Sequence, residues 1–96
     1  MKITIKGYLI FKRFLDHKKG LEIHIDESTL GEALDVLGEK LGEEFSRLLF
    51  DVHSKKIKNS IQILLNGRNY LNLTRKMDTP LNEGDEITLL PMVTGG

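Results

Sequence analysis

The sequence predicts an α+β domain in which a mixed β-sheet packs on one main helix. Three observations carry this: period-2 alternation near both ends, a capped amphipathic helix between them, and no repeating strand–helix–strand unit. From Lys2 to Tyr8, Ile3 and Ile5 lie on one side and Lys2, Thr4 and Lys6 on the other, a half-buried strand whose apolar content continues toward Ile10 or Phe11. The charged stretch from Lys12 through Gly20 breaks the pattern and reads as a hairpin loop. Leu21, Ile23 and Ile25 then alternate with Glu22, His24 and Asp26, which predicts a second, antiparallel strand.

Thr29-Leu30-Gly31-Glu32 has the form of a capping box, in which a threonine oxygen and a glutamate three residues on satisfy free amides at a helix start. Behind it Leu30, Ala33, Leu34, Leu37 and Leu41 recur at helical spacing and form the stripe that faces the sheet. Gly42 supplies a left-handed helix end, and Phe45, Leu48 and Leu49 predict a further turn or two before Phe50. Asp51 to Ser60, with Lys55, Lys56 and Lys58, reads as a connecting loop. Ile61, Ile63 and Leu65 predict a third strand closed by Asn66-Gly67, a pair suited to positive-φ turn positions. A short strand is expected around Tyr70 to Leu73, and the last from Glu86 to Leu90. Pro91, which lacks an amide donor, should take the chain out of the sheet. The domain is therefore expected over residues 1–90, with residues 91–96 as a tail.

At 96 residues the chain suits one domain, and a domain of this size buries roughly two-thirds of the surface its unfolded chain exposes. Fourteen basic residues balance fourteen acidic ones, which argues against a nucleic-acid partner. With no cysteine, the chain can form no disulfide, thiolate metal site or thiol nucleophile. The N-terminal apolar residues are interrupted by lysines, and no run approaches the roughly 20 apolar residues that span a bilayer. The expected setting is the cytoplasm, with no membrane partner. His17, His24 and His53 lack a ligand spacing, so no metal is expected. No glycine-rich nucleotide loop ends in Lys-Ser/Thr.

The chemistry concentrates in the C-terminal segment. A glycine has no side chain, so a terminal Gly-Gly can thread a narrow channel and present an unhindered carbonyl. Its free carboxylate is a poor electrophile and needs adenylation by another protein before acyl chemistry. With 9 glycines in 96 residues, two chosen positions both being glycine is about a one-in-a-hundred event. The setting adds the specificity: Leu81-Asn82-Glu83-Gly84-Asp85-Glu86-Ile87, a turn feeding a strand, leads through Leu89-Leu90-Pro91 to Met92-Val93-Thr94-Gly95-Gly96.

These residues resemble the end of the small subunit of molybdopterin synthase, the MoaD family, and the related thiamine sulfur carrier, ThiS. The resemblance covers the whole chain in element order and specific residues from about Leu81 onward. It departs at Met92, where the molybdopterin-type tail commonly has a second proline, and at the long loop from Asp51 to Ser60. It implies a β-grasp, ubiquitin-like fold and a ubiquitin-activating-type adenylyltransferase that uses ATP to charge Gly96. A sulfurtransferase would supply sulfur, and a molybdopterin synthase large subunit would receive it from a Gly96 thiocarboxylate. The chain itself would bind no cofactor and act as a co-substrate of the synthase, with Val93, Thr94 and Gly95 threading into partners. Leu90, Pro91, Met92 and Tyr8 are the expected partner surface, Leu90 on the outer sheet face because Ile87 and Leu89 take the helix side. Two further readings share the same tail chemistry: a ubiquitin-like modifier joined to lysines through Gly96, and a sulfur carrier for thiamine or tRNA thiolation. A third assigns the tail no role and leaves a plain interaction domain.

Overall fold

The computed structural model describes residues 1–15, 20–26 and 28–91. Five strands form one sheet: β1 (Lys2–Gly7), β2 (Leu21–His24), β3 (Ile61–Leu65), β4 (Arg68–Asn69) and β5 (Glu86–Pro91), in the order β2-β1-β5-β3-β4. The β1–β5 pair is parallel and the other pairs are antiparallel. Two helices cover one face, α1 (Leu30–Leu41) and α2 (Glu43–Leu49). This is the α+β, β-grasp arrangement that the sequence predicts.

Alternation decides which side chains meet the helices. Ile3 and Ile5 of β1, Ile23 of β2, Ile63 and Leu65 of β3, and Ile87 and Leu89 of β5 are buried with Leu30, Ala33, Leu34 and Leu37 of α1. Full burial of each of these isoleucine and leucine side chains contributes about 1.5–3 kcal/mol. The capping box forms as expected: the Glu32 amide donates to Thr29 Oγ1 at 3.3 Å, and the Thr29 amide donates to Glu32 Oε1 at 3.0 Å.

The segment after β1 differs from its prediction. The strand stops at Gly7, and Leu9–Leu15 forms a 3₁₀ helix where continued strand and hairpin loop are expected. Phe11, Phe14 and Leu15 stand at helical spacing, and packing outweighs the charges of Lys12 and Arg13 between them. The Phe11 and Phe14 rings lie 6.0 and 5.4 Å from the Phe45 ring, both edge-on, which joins this segment to α2. Gly7 permits the turn, because a Cβ there would sit 2.9 Å from both Leu15 Cδ1 and Phe11 Cβ.

Gly42 both ends α1 and starts α2, at φ 99° and ψ 175°. This is the extended positive-φ region that is essentially reserved for glycine, in place of the expected left-handed helical cap. Asn66 and Gly67 do take positive φ, 51° and 86°, as the hairpin turn requires. The strand expected around Tyr70 to Leu73 is replaced by the two-residue β4 followed by a 3₁₀ turn, Tyr70–Asn72. There the Asn69 side chain accepts the Leu71 amide at 2.9 Å and diverts the backbone from the ladder.

The 51–60 loop is ordered at its root by Asp51, whose carboxylate accepts the His53 and Ser54 amides, each at 2.9 Å. The Ser54 amide first and the His53 amide second hold this carboxyl below the ordinary aspartate pKa.

Two measurements test these local causes. Gly42→Ala should destabilise the fold by about 1–3 kcal/mol in urea unfolding through backbone strain alone, because nothing lies within 4 Å of the added Cβ. In an NMR titration Asp51 should protonate below the ordinary aspartate range. Its folded pKa is depressed, so its contribution is complete above the unfolded value and is lost as pH falls through the folded one. A midpoint at or above the unfolded value would remove this account of the loop.

Candidate functional site

The turn from Leu81 to Asp85 determines where β5 enters the sheet. Gly84, at φ 85°, donates its amide to the Lys2 carbonyl at 2.8 Å, and the Lys2 amide donates back to Glu83 Oε2 at 2.8 Å. Asp85 accepts the Asn82 amide at 2.8 Å and the Asn66 side-chain amide at 3.0 Å. Asn66 in turn accepts the Glu86 amide through Oδ1 at 2.9 Å. The Asn66 side chain thus locks the β3–β4 turn to the start of β5, donating to the Asp85 carboxylate and accepting from the Glu86 amide. Sequence reading gave Asp85 no chemistry. Its role is positional, and the 19-residue separation of Asn66 and Asp85 hides it.

From that lock β5 runs through the middle of the sheet, and its register fixes what surrounds its far end. Ile87 and Leu89 are fully buried toward the helices, as the sequence predicts, while Leu90 lies half-buried on the outer face. Pro91 still pairs opposite Ile61, so the strand includes the residue expected to end it. Proline lacks only the donor, and the final ladder position tolerates that loss. Met92, Val93, Thr94, Gly95 and Gly96 lie outside the described residues.

Tyr8 is brought to Leu90. The bond that accompanies the Thr4–Glu86 pairing, Thr4 amide to Asp85 carbonyl at 2.9 Å, recurs as Tyr8 amide to Leu89 carbonyl at 3.0 Å. Tyr8 therefore stands opposite Leu90, and Gln62 pairs with Leu90 from the other side. The next row on this face is Lys6, Thr88 and Leu64, with Thr88 only 7% exposed between its neighbours. The Lys6 ammonium pairs with the Glu86 carboxylate at 3.2 Å.

Sequence reading missed two members of this end of the molecule. Leu9 and Ile10 follow Tyr8 and are 66% and 40% exposed. Leu9 adopts φ 57°, a left-handed conformation that costs a non-glycine residue roughly 1–2 kcal/mol. Tyr8, Leu9 and Ile10 form an exposed apolar ridge beside the strand that leads to the tail. The available signal was the unbroken run Tyr8-Leu9-Ile10-Phe11, which has more apolar residues than an alternating strand can bury.

Among the described residues, no group of three or more His, Asp or Glu side chains could hold a metal ion, and no helix is long and apolar enough to cross a membrane. His24 and His53 are exposed, and His17 lies outside the described residues.

The chain matches a family model described as "ThiS family" over residues 11–96. The chain belongs to the ThiS family. Its sheet and helices have the ubiquitin-like, β-grasp arrangement. The ThiS-family chain is 28% identical over 76 residues to a protein named as a candidate sulfur carrier in Archaeoglobus fulgidus, covering 79% of this chain and 83% of that one. It is 27% identical over the full length of both chains to small archaeal modifier protein 3 of Haloferax volcanii. The solution structure of small archaeal modifier protein 1 from Methanosarcina acetivorans superposes with a TM-score of 0.80 at 24% identity, over 99% of this chain and 96% of that one, and speaks to the fold.

The Asn66–Asp85 lock can be tested directly in this ThiS-family domain. Asp85→Ala leaves the Asn82 amide and the Asn66 side chain to water in place of their acceptor, and it should cost about 0.5–1.5 kcal/mol in urea unfolding. Asn66→Ala in the same background should cost less than it does alone. Additive losses in that double-mutant cycle would show that the two side chains act independently.

Proposed function

We propose that this ThiS-family chain carries sulfur on Gly96 as a C-terminal thiocarboxylate, within a synthase of the molybdopterin type. The observation that carries the reading is the coupling of a Gly95-Gly96 segment to the central strand of a ubiquitin-like sheet. That placement holds the root of the segment rigid while the glycines have no side chains to obstruct a partner's channel.

Charging of Gly96 proceeds in two steps on a partner. A Gly96 carboxylate oxygen attacks the α-phosphorus of ATP held by a ubiquitin-activating-type adenylyltransferase, forming the acyl-adenylate and releasing pyrophosphate. A sulfur nucleophile, delivered as sulfide or from a sulfurtransferase persulfide, then attacks the acyl carbon and expels AMP. The persulfide route needs a thiol reductant to cleave the remaining S–S bond. The charged tail, Val93, Thr94, Gly95 and Gly96, enters the synthase large subunit and delivers sulfur to a pterin precursor. Water restores the carboxylate. In this scheme the chain is a co-substrate, ATP belongs to the partner, and side-chain catalysis belongs to the receiving enzyme.

The ridge of Tyr8, Leu9 and Ile10, with Leu90, Pro91 and Met92, is the surface proposed to seat these partners. Apolar contact area beside the tail offsets the rigid-body freedom lost on association, which a short glycine-ended segment cannot do alone.

A second reading has its own support, the full-length match to a small archaeal modifier. In that case a lysine amine attacks the activated Gly96 carbonyl, and the product is an isopeptide. The two readings share the acyl-adenylate and part afterwards. A carrier for thiamine or tRNA thiolation would share the thiocarboxylate and differ only in the receiving enzyme.

Incubation with an activating enzyme, ATP and sulfide should shift the intact mass by the exchange of one oxygen for sulfur. Deleting Gly95-Gly96 should abolish the shift. Conjugates that tie Gly96 to lysine side chains, with no thiocarboxylate formed, would select the modifier reading. No change at the terminus under conditions that charge a known carrier would reject both. Leu9→Gly isolates the ridge, because glycine relieves the positive φ. The variant should be as stable as the parent or more so, yet raise the activating enzyme's KM about ten-fold, equivalent to about 1.4 kcal/mol. An unchanged KM would remove Leu9 from the docking surface.

A further inference from the structure

A second surface, which shares no residue with the tail ridge, lies at the β3–β4 edge on the helix side of the sheet. It is an open groove of about 860 Å³ between the N-terminal half of α1, the 55–59 segment and the 70–78 segment. Its apolar lining includes Leu34, Phe50, Ile57, Tyr70 and Met77, and Leu71 on the rim is 54% exposed. Met77 packs closely on the helix because residue 31 is glycine: a Cβ there would meet the Met77 carbonyl oxygen at 3.3 Å.

The rim carries four exposed cations, Lys55, Lys56, Arg75 and Lys76, against two carboxylates, Asp35 and Asp78. The ion pairs found among the described residues are Lys2–Glu22, Lys6–Glu86 and Arg47–Glu43, so none involves the rim cations. A chain with no net charge therefore places two more cations than carboxylates around an apolar floor. Lys55 and Lys76 are also held at φ 63° and 47°, where glycine would fit without strain. Two strained backbone positions on one groove both carry lysine, so local backbone preference does not account for the residue at either position.

We propose that this groove docks an acidic segment of a partner protein, with one or two apolar side chains seated on the floor and flanking carboxylates facing Lys55, Lys56, Arg75 and Lys76. The volume falls in the range of roughly 300–1,000 Å³ typical of binding pockets. Peptide is favoured over nucleic acid because Asp35 and Asp78 interrupt the field that a phosphate backbone needs, while the floor offers apolar contact. The charge steers the encounter and sets the register of the bound segment. This inference is independent of the tail chemistry, and both could hold at once, with the tail presented to one protein while the groove engages another or a second part of the same one.

The test uses the full chain, labelled with nitrogen-15, and a set of short synthetic peptides in which aspartate and glutamate flank one phenylalanine or leucine. Binding should move the amide signals of Gly31, Lys55, Ile57, Tyr70 and Met77, and should weaken about ten-fold between about 0.05 and 0.5 M salt. The doubly substituted Lys55→Gly, Lys76→Gly chain should fold at least as stably as the parent and bind about ten-fold more weakly. A variant that binds as the parent does would overturn the electrostatic basis of the proposal. Absence of shifts with every acidic peptide, or shifts confined to the ridge at Tyr8, would overturn the groove assignment. Tighter occupation of the same residues by an oligouridylate would replace protein by RNA as the occupant. Shifts at these amides on raising protein concentration alone, with dimers in sedimentation, would replace it by a second copy. In any of these cases the thiocarboxylate assay on Gly96 is read separately.

Discussion

The arrangement depends on one constraint, the burial of β5 between β1 and β3. As the central strand it must satisfy hydrogen bonds on both edges, and its inner residues Ile87 and Leu89 must meet both sheet neighbours and the helices. A one-residue slip would turn Ile87 and Leu89 toward solvent and Thr88 toward the core, so the register is strongly determined. The parallel pairing with β1 draws the two ends of the sequence into adjacent strands. The same pairing carries Tyr8 to Leu90.

The turn before β5 sets that register. Gly84 supplies the positive φ, and the amides and side chains of Lys2, Glu83, Asn66 and Asp85 tie the turn to both neighbouring strands. These are partly exposed bonds, each of modest net worth. Their importance is directional: they fix where the strand starts, and a rigid strand then fixes where it delivers the chain. The outer-face ion pairs, Lys6–Glu86 and Lys2–Glu22, are exposed, and pairs of that kind contribute little.

This separates the molecule into surfaces with distinct physical characters. The apolar ridge at Tyr8, Leu9 and Ile10 lies at the end of the sheet from which the chain runs on to Gly95-Gly96. The cationic groove lies at the β3–β4 edge. In the proposed function, where partners carry out the chemistry, two surfaces of unlike character let the chain distinguish those partners.

The sequence by itself determined the fold class, the capped start of α1, the inner faces of the strands, the Asn66-Gly67 turn and the family. Each rests on local periodicity, local backbone preference or a contiguous motif. It misread Lys12 to Leu15 because the charges of Lys12 and Arg13 are local, whereas the contact of Phe14 with Phe45 is not. It misread Tyr70 to Leu73 because a single asparagine bond diverted the backbone. Tyr8 and Leu90 were legible as candidates, but their adjacency was not, because it depends on the parallel β1–β5 register. The Asn66–Asp85 lock, the exposure of Leu9 and Ile10 and the grouping of Lys55 with Lys76 were decided only by the tertiary structure. In each, residues distant in sequence are brought together, or a side chain is left outside, by how the whole sheet and its helices pack.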